Sequence, residues 1–160
     1  ASTFDRIMES ENAVVIGLPM NPITDAKLLE EFKPLLKYPE KLEIAYNCSE
    51  PEEITAIAAK MDIVISSRLH LLILSTIHRI PIIGISRGSK VTNFTHPLGV
   101  KDVGSVQALD LLNLENEIRR LLNDKDGYKR TANKVMSGLE TRLNHARSIL
   151  KETLTSVFGS

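Results

Sequence analysis

The chain has 160 residues, 20 Lys and Arg against 20 Asp and Glu, 42% hydrophobic residues and one cysteine, Cys48. The zero net charge argues against a nucleic-acid-binding domain, which carries a basic excess, and no apolar run reaches the ~18 residues of a membrane span. A lone cysteine excludes an intramolecular disulfide and a cysteine metal cluster, and with no signal peptide in view it points to a reducing, cytoplasmic setting.

The first two thirds alternate short apolar runs with helical patterns. Residues 13–18 read as a buried strand, followed by a loop punctuated by Pro19 and Pro22. Thr24 or Asp25 is expected to cap a helix whose apolar positions Leu28, Leu29, Phe32, Leu35 and Leu36 share one face, with Pro34 weakening or ending it. Residues 42–46 form a second strand. Ser49-Glu50-Pro51-Glu52 has the form of a capping box, and the helix it opens carries Ile54, Ile57, Ala58 and Met61. Residues 62–66 are a third strand, 69–77 a short buried helix, 81–86 a fourth strand and 103–106 a short fifth. Strands apolar on both faces and separated by helices predict a parallel sheet covered by helices, a Rossmann-like α/β unit.

From about residue 111 to 158 the pattern is helical throughout. Residues 111–122 make one helix, and a second run follows Asp124-Lys125-Asp126-Gly127. Its apolar positions Tyr128, Ala132, Val135, Leu139, Leu143, Ala146, Leu150, Leu154 and Val157 recur at steps of three and four, one narrow stripe. The sheet can cover the first part. The rest is expected to meet another domain or another copy of the chain, a homo-oligomer through this helix.

The zero net charge hides a segregated pattern. Residues 1–62 hold 6 basic and 12 acidic side chains, whereas residues 63–101 hold 5 basic ones (Arg68, Arg79, Arg87, Lys90, Lys101) and no acid. A basic segment without its own carboxylates suits an anionic small ligand; the alternative is that these cations pair with acids elsewhere in the fold. Ligands of parallel α/β sheets bind beyond the carboxyl ends of the strands. Three such ends are Pro19-Met20-Asn21-Pro22 after the first strand, Ser66-Ser67-Arg68-Leu69-His70 after the third, which opens into a helix, and Ser86-Arg87-Gly88-Ser89-Lys90 after the fourth, a polar loop. The last two are expected to be neighbours, bringing Arg68, His70, Arg87 and Lys90 to one mouth beside the N–H groups of a helix start. Arg68 can grip a phosphate or carboxylate by its fork, Lys90 acts as a point charge, and His70 can donate or transfer a proton. The alternative for His70 is a core histidine. His78 with Arg79 suits a helix C-terminus, His96 an ordinary loop, and Cys48 a small buried residue. No histidine pair has metal-ligand spacing with a matching carboxylate, and there is no Gly-x-Gly-x-x-Gly and no P-loop, so neither metal nor cofactor is expected.

The same residues carry a resemblance. Asp62-Ile63-Val64-Ile65-Ser66-Ser67-Arg68-Leu69-His70, then Ile80-Pro81-Ile82-Ile83-Gly84-Ile85-Ser86, then Lys90-Val91 and Phe94, resemble the C-terminal half of the polysaccharide pyruvyl transferases. The Glu50-Pro51-Glu52-Glu53 helix start and Leu98-Gly99-Val100 also fit. The resemblance spans about residues 12–125, with its core at 62–94. It implies one half of a two-domain GT-B-type fold, with residues 1–160 as the C-terminal domain and a missing N-terminal domain lining the other wall of the cleft. It implies transfer of a pyruvyl group from phosphoenolpyruvate to a sugar or glycan-lipid acceptor of a cell-surface polysaccharide, in the cytoplasm with the inner face of the membrane as an option. Arg68 and His70 would be catalytic, and Ser67, Arg68, Leu69, His70, Arg87, Ser89 and Lys90 substrate-binding. The isolated domain would be inactive. Two other functions fit the fold class: a nucleotide-sugar glycosyltransferase or epimerase domain, and a non-enzymatic assembly domain built on the long helix.

Overall fold

A computed structural model describes residues 2–46, 48 and 50–158, the last two by backbone only. Ser49, expected to open a capping box, and the Val157 side chain fall outside the described residues. The elements are α1 (Ser2–Ser10), β1 (Val15–Gly17), α2 (Thr24–Phe32), β2 (Leu42–Ile44), α3 (Pro51–Ala58), β3 (Val64–Ser66), α4 (Leu69–Ile77), β4 (Ile82–Gly84), α5 (Ser89–Thr95), α6 (Leu111–Asn123) and α7 (Lys125–Phe158). The fold is mixed α/β: short parallel strand pairs flanked by helices, and a long C-terminal helix. β1 pairs with β2, Val15 opposite Leu42, and β3 pairs with β4, Val64 opposite Ile82. The single sheet expected from the sequence is thus drawn as two parallel pairs. The expected fifth strand is reduced to isolated bridges, Ser86 to Ser105 and Gly104 to Leu109. Local side chains compete with a ladder there: Asp102 accepts the Gly104 N–H, and the Ser105 hydroxyl oxygen accepts those of Gln107 and Ala108.

The main core gathers around β3 and β4. Ile82 and Ile83 are fully buried, as is Leu72 of α4, with Leu114, Ile118 and Leu121 from α6 and Tyr128 and Ala132 from α7 beside them. Each buried Leu or Ile among them contributes about 1.5–3 kcal/mol of burial. α4 is apolar enough to lie inside because its two buried hydroxyls bond within the helix, Ser75 to the Leu71 carbonyl and Thr76 to that of Leu72. Gly84 lets α5 close over the end of β4, since a Cβ there would stand 2.6 Å from Val91 and 2.7 Å from Thr95. A smaller cluster of Met8, Leu36 and Leu42 lies under α1 and β2, with Phe4 and Phe32 edge to face at 5.7 Å.

α2 corrects two details. Its cap is neither Thr24 nor Asp25 but Asn21, whose side-chain oxygen accepts the N–H groups of Ile23 and Thr24 while Asp25 accepts that of Asn21. The helix stops at Phe32 ahead of Pro34, so Leu35 and Leu36 leave its phase: Leu36 turns in, while Leu28 and Leu35 are exposed. The long helix behaves as the stripe predicts at its start and then runs out of cover. Its break comes earlier than expected, Asp124 capping it by accepting the Gly127 N–H at 2.9 Å. Tyr128 and Ala132 are buried, but Leu139, Leu143, Leu150 and Leu154 are 42–60% exposed.

α6 is fastened at the amino ends of the strands. Glu117, 1% exposed, accepts the Lys101 N–H at 2.9 Å and the Arg120 Nε at 2.7 Å, and Arg120 reaches the Gly99 carbonyl at 2.9 Å. Burial pushes the Glu117 carboxyl up, but the bonds from Arg120 and Lys101 outweigh it and hold the group below its ordinary range. At the same end Lys125 pairs with Asp62, just ahead of β3.

Candidate functional site

The carboxyl ends of β3 and β4 lie side by side, Ser66 opposite Gly84, the strand spacing being about 4.8 Å. Beyond β3 the Ser66 hydroxyl oxygen accepts the Arg68 N–H at 2.9 Å, turning the chain through Ser67 into α4. Arg68 is the N-cap residue, extended in backbone and without a side-chain cap bond, so the first N–H groups of α4 lack a capping side chain. Leu69 packs against the core, while His70 on the first turn is exposed. The core-histidine alternative therefore falls. Beyond β4 the chain turns at Gly88, whose N–H donates to the Ser86 hydroxyl oxygen, and Ser89 and Lys90 begin α5 rather than standing in a loop. Arg87, Ser89 and Lys90 are exposed, and among the described residues neither cation has an ion-pair partner.

Arg68 does have one. Its Nη2 lies 2.7 and 2.9 Å from the two carboxylate oxygens of Asp25, in the first turn of α2 beyond β1. Burial pushes the Asp25 carboxyl up, but the bonds from Arg68 and the Asn21 N–H prevail, so it sits below the usual carboxylate range and is ionised at neutral pH. The alternative of pairing with distant acids thus holds for Arg68 itself. Asp25 is the site residue that sequence reasoning missed as such. Its only local signal was a helix start just after the first strand, facing a basic segment with no acid of its own.

The other cations of that segment scatter. Arg79, left-handed at φ 60 beyond α4, bonds to Asn133 of α7 at 2.7 Å, and Lys101 meets Glu117 through its backbone. His78 ends α4 as expected for a helix C-terminus, and Cys48 is half-buried. Among the described residues no three His, Cys, Asp or Glu side chains stand together as metal ligands, and no helix is long and apolar enough to cross a membrane. Two clefts lie away from the strand carboxyl ends. One of about 330 Å³ is bounded by Gly99, Arg120, Asp124 and Tyr128. The other, larger, runs along α7 past Arg130, Lys134 and Leu139.

A helix start at the carboxyl end of a parallel strand pair is the place where α/β domains of this class take their ligands. A family model for polysaccharide pyruvyl transferase matches residues 1–89, more than half of the chain, and the chain belongs to that family. The match takes in Ser67, Arg68, Leu69, His70, Arg87 and Ser89, and stops one residue short of Lys90. Comparison with curated proteins and with solved structures gives no match.

Proposed function

We propose that the chain is the donor-binding part of a transferase that moves a pyruvyl group from phosphoenolpyruvate to a sugar of a cell-surface polysaccharide. The family supplies the general kind of reaction. The observation that supports the donor site is Arg68 at the N-cap of α4, inside the matched segment, with a run of helix-start N–H groups after it. Arg68 and those N–H groups hold phosphate or carboxylate charge, with Ser67, Leu69, Arg87, Ser89 and Lys90 around the same mouth. Two sugar hydroxyl oxygens bond to C2 of the donor, and the bond from C2 to the phosphate oxygen breaks. One hydroxyl proton ends on the methylene carbon, making a methyl group, and the other leaves with phosphate. His70 delivers the proton to the methylene carbon as general acid, or orients the donor. A second Rossmann-like domain supplies the sugar or glycan-lipid side of a GT-B-type cleft, in the cytoplasm or at the inner face of the membrane, and this part alone is inactive. The family match favours this reading over a nucleotide-sugar enzyme or an assembly domain. The test is phosphoenolpyruvate-dependent ketal formation by the intact protein; activity unchanged in both Arg68→Ala and His70→Ala would sink it.

A further inference from the structure

Arg68 already holds a carboxylate. A guanidinium offers a two-oxygen anion two bidentate edges, Nε with Nη2 and Nη1 with Nη2, and both use Nη2. Asp25 has both of its oxygens on that one nitrogen, at 2.7 and 2.9 Å. While the pair stands, an incoming phosphate or carboxylate that takes either edge shares Nη2 with Asp25 and meets a guanidinium whose charge is already compensated. We propose that Asp25 is a tethered competitor for the anion subsite: it occupies Arg68 in the empty protein, gives way to the donor, and recaptures Arg68 to expel the phosphate product. This rests on the reading of Arg68 as the donor's anion-binding residue.

The surroundings suit an exchange. The Arg68 side chain is 37% and that of Asp25 24% exposed, so the pair is weakly held and open to displacement. Neither partner depends on the other for its backbone. The Arg68 N–H is held by Ser66, and Asp25 keeps the Asn21 N–H at 2.9 Å when the guanidinium leaves. Only the guanidinium has to swing. An anion that meets a site free a tenth of the time binds tenfold more weakly than to a site always free.

The experiment is calorimetric titration of the intact protein with inorganic phosphate and with phosphoenolpyruvate. Asp25→Asn keeps an acceptor for the Asn21 N–H and loses the charge. It is expected to bind both anions about tenfold more tightly, and phosphate inhibition of turnover is expected to strengthen in step. Asp25→Ser, which also suits a helix start, must reproduce the gain. Glu31→Gln removes an exposed charge from the same helix without touching Arg68 and is expected to leave both affinities within about twofold. Weaker binding in Asp25→Asn would make Asp25 a positioning residue and overturn the proposal. An equal gain in Glu31→Gln would reduce the effect to general charge and overturn it too. If Arg68→Ala weakens phosphoenolpyruvate binding while Asp25→Asn changes nothing, the competitor fails and the donor site stands. If Arg68→Ala leaves binding untouched, the donor site itself fails.

Discussion

Two arginine–carboxylate pairs sit at opposite ends of the strands, and they do different work. Glu117 with Arg120, at the amino ends, has one carboxylate almost wholly buried that also accepts the Lys101 N–H, and a guanidinium that also donates to the Gly99 carbonyl. Asp25 with Arg68, at the carboxyl ends, is partly open to solvent, and each partner keeps one further bond, the Asp25 carboxylate from the Asn21 N–H and the Arg68 N–H to the Ser66 hydroxyl. The bond lengths are alike, so length does not separate them. Burial and the number of additional partners do: the first pair is part of the scaffold, while the second is a contact that solvent or a ligand can replace.

The largest difference is expected in stability. Glu117→Ala leaves Arg120 and the Lys101 N–H without their acceptor and is expected to cost about 2–4 kcal/mol, a fall in Tm of roughly 5–15 °C by calorimetry. Arg68→Ala is expected to stay within about 1 kcal/mol. The acid limb separates them as well. A carboxyl held below its ordinary value stabilises the fold at pH above its unfolded value, 4.5 for Glu117, and that contribution is lost as pH falls through the folded value. Urea melts at stepped pH are therefore expected to show a shallower acid decline in Glu117→Gln than in the native chain. An Arg68→Ala loss as large as that of Glu117→Ala would erase the distinction between the pairs.

Activity is expected to rank the two ends in reverse. Arg68→Ala removes the fork proposed to hold the donor's anion and is expected to lower kcat/KM about 10²-fold or more in the intact protein, with Arg68→Lys recovering only part because it restores charge without geometry. His70→Ala is expected to cost about 10²-fold in kcat if the imidazole is the general acid. Being exposed, it should leave Tm within about 1 °C. A kcat loss in Glu117→Ala matching that of Arg68→Ala, at a temperature where both are folded, would break the assignment of chemistry to the carboxyl ends.

The sequence revealed these two ends unequally, for physical reasons. α4 was legible to the residue, because its apolar run is bounded by Arg68 before it and by His78 and Arg79 after it. α6 was legible as residues 111–122 from its helical pattern, and the structure adds its cap, Asp110, whose carboxylate accepts the Asn113 N–H. The parallel pairing followed from the two-faced apolar runs. The Asn21 cap, the exposure of Leu28 and the helical state of residues 89–95 were not legible, since each depends on which neighbour a side chain meets. Least legible was Asp25 on Arg68. The two are separated by 43 positions and belong to different strand–helix units, so no spacing rule brings them together. Charge counting raised the question of where the basic segment finds its acids, and only the fold answers it for Arg68.

The smallest expected effect tests whether the amino end is held by packing or by polar pairing beyond Glu117. Tyr128 is buried, and its hydroxyl lies beside Thr76 and the Ile82 backbone without a hydrogen bond of ordinary geometry. Its ring therefore carries most of the stabilisation and its oxygen little. Tyr128→Phe is expected to be neutral or to raise stability by a few tenths of a kcal/mol, while Tyr128→Ala costs about 3–5 kcal/mol, both from urea titration. Burial, only partly offset by Thr76 and Ile82, pushes the phenol up to about 12 from its ordinary 10.0. Between those values the native state keeps a proton that the unfolded chain has lost, so stability falls as pH rises above 10. Tyr128→Phe removes that titration and is expected to flatten the alkaline decline. A destabilised Tyr128→Phe would place a working hydrogen bond on the hydroxyl and make the amino end a polar lock throughout.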